Sequence, residues 1–297
     1  MTDSELRELR RRKWHLDARP VRTVEEARAF LESVGFCLMY PISAQDLGGR
    51  GGAEIVLPTF IGAWAGGDDN LPTQRRAFAD ARARQAMELA VRLLRERSAY
   101  EASVFGEDNL LVAATVFPYF YALAGDRNPR QEPRAERLLS PLAQDVLGAI
   151  QRRGPLTKRR LAELLGGDLS EAAMDRALAE LATHLRIVRV DYNPHDGSSW
   201  DVLYRWSPEP VNQGMHLSVA VALSALLSKY LDCVIAADEK QIADFFSPLA
   251  ARSKIKDTMN ALLAARELEF VHVGNRTLVQ LAQARTAQGP RSSRRRA

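Results

Sequence analysis

The chain has 297 residues, 41 Lys plus Arg against 37 Asp plus Glu, and a formal net charge of +4. With 46% hydrophobic and 26% charged residues it can bury a sizeable core, which excludes a wholly disordered chain and predicts two or three domains. The basic excess is local, because the five arginines between Arg285 and Ala297 leave about −1 for the remainder.

Residues 1–22 read as a charged arm, a short helix at most, with Trp14 as its one large anchor. Thr23 and Glu26 form a capping box ahead of the apolar stripe Ala27, Phe30, Leu31 and Val34, and Gly35 is the stop. Phe36 to Pro41 is a short apolar run. The Gly48 to Gly52 loop lacks the Lys-Ser/Thr ending of a phosphate-binding loop. Thr73 to Arg97 is predicted as one long helix. Phe117 to Tyr121 is aromatic; apolar flanks favour core packing over base stacking. Asp126 to Glu136 is polar, carries two prolines and reads as a linker.

Beyond it the periodicity sharpens. Ser140 caps a helix through Arg152, Thr157 caps a second, and Asp168 with Glu171 caps a third whose stripe is Met174, Ala177, Leu178, Leu181 and Leu185. Ile187 to Tyr192 and Val202 to Trp206 are predicted strands around a long turn. Trp206 to Gly214, with two prolines, reads as a joint. Helices over Leu217 to Leu231, Asp238 to Phe246 and Ser253 to Ala265 follow, then a hairpin turning at Gly274-Asn275-Arg276. The expected fold class is mainly α with small β-hairpins, in tandem winged helix-turn-helix modules. The expected division is an arm 1–22, a helical domain 23–137, a central winged helix 138–212, a C-terminal winged helix 213–283 and a disordered basic tail 284–297.

Such modules bind duplex DNA by placing the third helix in the major groove. Arg152, Arg153, Lys158, Arg159 and Arg160 cluster near the central module's first turn, where cations hold phosphates. Arg176, among Ala172, Ala179 and Thr183, either meets a base edge or phosphate or pairs with Asp175 or Glu180. His195 and Ser198 mark the wing; Arg252, Lys254, Lys256 and Arg276 take the equivalent places in the last module. The basic tail is either merely solvated or a nonspecific phosphate binder. Catalytic constellations are lacking: the five histidines have no paired spacing, and Asp68-Asp69 and Glu107-Asp108 read as exposed loop acids. Cys37 and Cys233 sit in apolar runs and read as buried thiols of a reducing compartment. No metal and no small-molecule cofactor are expected.

Gly35 to Pro41, Leu57 to Phe60, Leu111-Val112, Pro118 to Leu123, and Leu139 through Pro208 resemble stretches of bacterial AlkZ-related proteins. These are kin of the AlkZ or YcaQ type of crosslink-repair DNA glycosylase. The resemblance implies tandem winged helices folded around one DNA duplex in the bacterial cytoplasm, nucleoid-associated when bound. It also implies a catalytic Gln-x-Gln or Gln-x-Asp motif, but Cys37-Leu38-Met39-Tyr40 stands there. Gln45 and Asp46 are the nearest alternatives, at the wrong spacing. The reading is therefore a monomeric binder of double-stranded DNA, with no membrane partner and no glycosylase activity. An active glycosylase with a nonstandard residue, or a transcription regulator or protein adaptor, are the alternatives. No apolar secretory segment follows Met1, and Leu217 to Leu227 falls short of the ~20 residues a membrane span needs.

Overall fold

Three small antiparallel sheets, each served by its own helices, set the frame of this computed structural model. It describes residues 1–42, 55–67, 70–77, 79–105, 108–127, 139–166, 169–193 and 195–282. Gln45, Asp46, the Gly48 to Gly52 loop, Asp68-Asp69, Glu107, most of the expected linker and the basic tail lie outside these residues. The protein is mainly helical.

The first part holds α1 (Asp3–Lys13), α2 (Val24–Val34), β1 (Phe36–Leu38), α3 (Phe60–Ala65), α4 (Gln74–Ala77), α5 (Ala81–Arg95), β2 (Ala99–Phe105), β3 (Asp108–Ala113) and α6 (Phe117–Ala124). The central part holds α7 (Pro141–Arg153), β4 (Leu156–Thr157), α8 (Lys158–Leu165), α9 (Glu171–Thr183), β5 (Ile187–Asn193), β6 (Gly197–Val202) and α10 (Leu203–Trp206). The last part holds α11 (Pro208–His216), α12 (Val219–Val234), β7 (Ala236–Ala237), α13 (Glu239–Phe246), α14 (Arg252–Ala264), β8 (Leu268–Val273) and β9 (Arg276–Leu281).

The three sheets have the same strand order, β1-β3-β2, β4-β6-β5 and β7-β9-β8. In each, a short strand follows one helix and a hairpin follows a later one. The helix-to-hairpin junction is also repeated atom for atom. Arg97, Leu185 and Arg266 take positive φ of 57°, 51° and 60°. Their amides donate to Leu94, Ala182 and Leu263, and the next amides, of Ser98, Arg186 and Glu267, donate to Leu93, Leu181 and Leu262. These are the two bonds of a Schellman helix stop, made three times without glycine.

Several expectations are revised. The helix expected over Thr73 to Arg97 is broken: Asp80 caps a new helix by accepting from the Arg82 and Ala83 amides, which ends the short turn before it. The third central helix is capped by Ser170, whose hydroxyl accepts from Ala173. The second strand of the central hairpin is Gly197–Val202, and residues 203–206, expected to be strand, are helical. The joint Trp206 to Gly214 is largely helix α11, and Ser218 starts α12 anew. A Cβ on Gly214 would lie 2.7 Å from the Pro118 carbonyl, so α11 and α6 approach more closely than any other residue permits.

Two cores result. One lies within the central part, around Val146, Ile150, Leu161, Leu178 and Leu181. The other joins the first and last parts and takes in Leu185, Val188, Val190 and Leu203 of the central part. There Phe36 stacks on Phe245 at 5.7 Å, Phe245 stacks on Tyr230 at 4.8 Å, and Phe120 meets Phe36 edge-on. The aromatic run Phe117 to Tyr121 is thus core, with Phe117, Phe120 and Tyr121 buried. The first half of the arm is α1, with a Thr2–Glu5 capping box, and the arm docks on the last part: Trp14 Nε1 donates to the Cys233 carbonyl at 2.8 Å, and Lys13 pairs with Asp232 at 3.0 Å. Among the described residues no single helix is long and apolar enough to cross a membrane.

Leu178 is buried in the central core, so Leu178→Ala should cost about 2–5 kcal/mol in urea unfolding, the sum of lost transfer energy and a cavity. Asp80, held by the Arg82 guanidinium and by two amides, has its carboxyl lowered from 3.8 to about 2. A depressed carboxyl stabilises the fold above its unfolded value and loses that contribution as pH falls through the folded one. The gap in thermal midpoint between wild type and Asp80→Asn should therefore close between about pH 4 and pH 2.

Candidate nucleic-acid interface

The central part offers α9 as its outward helix. Its C-terminal end is fixed, because Thr183 Oγ1 donates to the Ser103 carbonyl of β2 at 3.2 Å. Its N-terminal two turns are open: Ala172, Asp175, Arg176 and Ala179 are exposed. Asp175 is taken by Lys158 at 2.6 Å, and Glu180 accepts from the Ser140 amide and hydroxyl. Both carboxylates that sequence offered to Arg176 are thus occupied, and among the described residues Arg176 has no ion pair.

The five-residue basic cluster divides in two. Arg152 and Arg153, at the exposed end of α7, have no ion pair among the described residues. The other three are matched. Lys158 bonds Glu171 at 2.9 Å as well as Asp175, Arg160 bonds Glu163 at 2.6 Å, and Arg159 bonds Asp196 in the wing turn. Burial alone would lower the Lys158 ammonium, but its two carboxylates outweigh that and raise it. The same contact holds Glu171 below the ordinary glutamate range. His195 is exposed and its amide closes the turn on Asn193 Oδ1; Ser198 lies in β6 opposite Tyr192.

In the last part Arg252 bonds Asp244 at 2.5 Å and Arg276 bonds Asp3 of the arm at 2.6 Å. Lys254 and Lys256 stand exposed on α14 with no ion pair among the described residues. The structure thus leaves Arg152, Arg153, Arg176, Lys254 and Lys256 available and commits Lys158, Arg159, Arg160, Arg252 and Arg276 to acids.

Sequence reasoning passed over the buried ions that orient this surface. Arg189 of β5 pairs with Glu101 of β2, and Arg186 pairs with Asp126 at 2.5 Å; both arginines are nearly or fully buried. Arg95 of α5 meets Asp191 at the rim. Tyr40 lies beside the first pair; burial, opposed by Arg189 and aided by Glu101 and Tyr192, pushes its phenol up to about 12. The available signal was Glu101 in β2 and Arg189 in β5, charges of opposite sign set among apolar residues. Cys37, Leu38 and Met39, where the catalytic motif was sought, are buried, and burial pushes the Cys37 thiol well up. No group of three or more His, Cys, Asp or Glu among the described residues could hold a metal ion.

A family model described as AlkZ related matches residues 72–247, more than half of the chain. The protein belongs to the AlkZ-related family. The match takes in β2, β3, the whole central part and the last part as far as α13, and it leaves out Cys37 to Tyr40. No match was found among curated proteins or among solved structures. Membership relates the chain to the DNA-repair glycosylases that the sequence resembles. In this AlkZ-related chain Lys158→Ala should return the Glu171 carboxyl to the ordinary glutamate range, read by carbon-13 titration of its side chain.

Proposed function

We propose that this AlkZ-related protein binds duplex DNA through winged-helix repeats, holding it mainly by phosphates and without cleaving a base. The observation that carries the reading is the threefold helix-and-hairpin topology, in a chain of this family, with α9 presenting an unpaired Arg176 among small side chains. Small side chains allow close approach to a groove, and one arginine among them provides contact but little base discrimination. The domains are proposed as a first repeat within residues 23–137, a central one at 138–212 and a last one at 213–283, with the arm sealed onto the last. The protein is proposed to act as a monomer.

Phosphate contacts are assigned to Arg152, Arg153, Arg176, Lys254 and Lys256, with His195 and Ser198 at the wing. Lys158, Arg159 and Arg160 contribute less, because each must first leave a carboxylate. Fluorescence anisotropy on the full chain should show affinity falling by about 0.9 log unit per phosphate contact per log of salt. Arg152→Ala, Arg153→Ala and Arg176→Ala combined should weaken binding to all sequences alike and flatten that slope. The combination at 158, 159 and 160 should do so less. A chain that fails to bind duplex at low salt would point instead to a protein adaptor, and a footprint at one sequence to a regulator.

Base release needs a group that orients water or stabilises the cationic sugar beside an extruded nucleotide. At Cys37 to Met39 the side chains are buried and not ionised, and Tyr40 with its phenol near 12 is a poor base. Single-turnover release from alkylated or crosslinked duplexes should stay at background. Clear release that disappears in Gln45→Ala or Asp46→Asn would establish the enzyme instead.

A further inference from the structure

We propose that the cleft between the arm helix α1 and the C-terminal hairpin is a binding site for a phosphoryl oxyanion, with Arg7 as its free donor. The cleft has a volume of about 410 Å³, within the roughly 300–1,000 Å³ of small-ligand sites. Its lining comes from α1, from Val56, and from Gln241, Arg276 and Leu278 more than two hundred residues later.

The construction begins in the arm. Asp3, Leu6, Arg7 and Arg10 recur at intervals of three, four and seven, which puts them on one helical face. Leu6 is buried with Ala236, Val273 and Leu278, and this small apolar contact seats the helix on the hairpin. Arg10 is then fixed by the backbone: its Nε donates to the Val234 carbonyl at 2.8 Å and its Nη2 to the Ala236 carbonyl at 2.7 Å. Those carbonyls flank Ile235, a β-branched residue at φ 69°, so the arm clamps a strained turn. Arg276 bonds Asp3 at 2.6 Å on the hairpin side.

The lining residues thus carry three guanidinium groups against one carboxylate. Asp3 is already committed to Arg276. Arg7 is exposed, and among the described residues it has no hydrogen bond or ion pair. Gln241 adds a neutral donor. Its Oε1 accepts from the Asp238 amide at 3.2 Å in the α13 capping box, so its NH2 group is turned away from that bond and has no acceptor among the described residues. Apolar lining is scant, which disfavours an organic ligand that must bury surface. Planar guanidinium groups with an amide donor match the tetrahedral oxygens of a phosphate.

The oxyanion has two sources, a backbone phosphodiester of bound duplex or a free phosphate, and two measurements on the full chain separate them. In the first, inorganic phosphate is titrated at constant ionic strength against chloride while the thermal midpoint is read. Wild type should gain a saturable rise that Arg7→Ala lacks. In the second, which alone rests on the DNA-binding reading, duplex affinity is read against salt. Arg7→Ala should weaken it about tenfold, as expected for one charge-assisted contact, and lower the salt slope by about 0.9. Loss of the phosphate response with unchanged duplex affinity identifies free phosphate as the ligand. A wild type that ignores duplex yet keeps the Arg7-dependent phosphate response leaves the site standing and removes the DNA reading. Responses of Arg7→Ala equal to wild type in both measurements overturn the site. Should Arg7→Ala lower the midpoint by itself, Arg7→Gln, which retains most of the stem, repeats the comparison.

Discussion

Where α9 points depends on two buried arginines. The central part has a core of its own, and Leu185, Val188, Val190 and Leu203 also pack into the core shared by the other two parts. Arg189 and Arg186, reaching Glu101 and Asp126 of the first part, add a directional constraint to that apolar contact. Burying such ions adds little net stability against an apolar substitute, yet leaving one unpaired costs about 3–5 kcal/mol. Only the docking that satisfies both pairs at once is acceptable. The Thr183 bond to the Ser103 carbonyl then pins the end of α9, and the exposed Arg176 face follows.

The first and last repeats are joined differently. Phe36, Phe245, Tyr230 and Phe120 form one aromatic cluster, and the Cys233 thiol donates to the Phe36 carbonyl. Stacked rings of this kind add to simple area burial and hold elements in fixed register. The result is a pair of outer parts joined by aromatic contact, with a middle part attached both by apolar residues and by two buried ion pairs.

Several local signals in the sequence were legible, but the caps at Asp80 and Ser170 and the distant signals were not. The capping residues Thr23, Ser140, Thr157 and Asp238 announce helix starts because their chemistry acts within three residues. The hairpin β2–β3 was missed because Glu101 interrupts its apolar run, and its partner Arg189 lies 88 residues away. Strands β4 and β7 have two residues each, too few for any period to show. The repeated helix stops at Arg97, Leu185 and Arg266 carry no glycine, so the sameness of the three repeats is invisible until the backbone is seen. At the candidate interface the cations were legible and their neutralisation was not: Lys158 finds Glu171 and Asp175 across a helix turn that only the fold brings together.

The arm helix α1 is held mainly by residues more than two hundred positions later in the sequence. Its N-terminal amine donates to the His272 carbonyl, 271 positions away, and Arg276 and Ala236 are also its partners. Contacts so distant in sequence are slow to form and lie at the end of assembly. Until the arginine-rich arm docks, Ile235 must hold its left-handed turn without the Arg10 clamp. The arm works as a latch across the strained turn at Ile235.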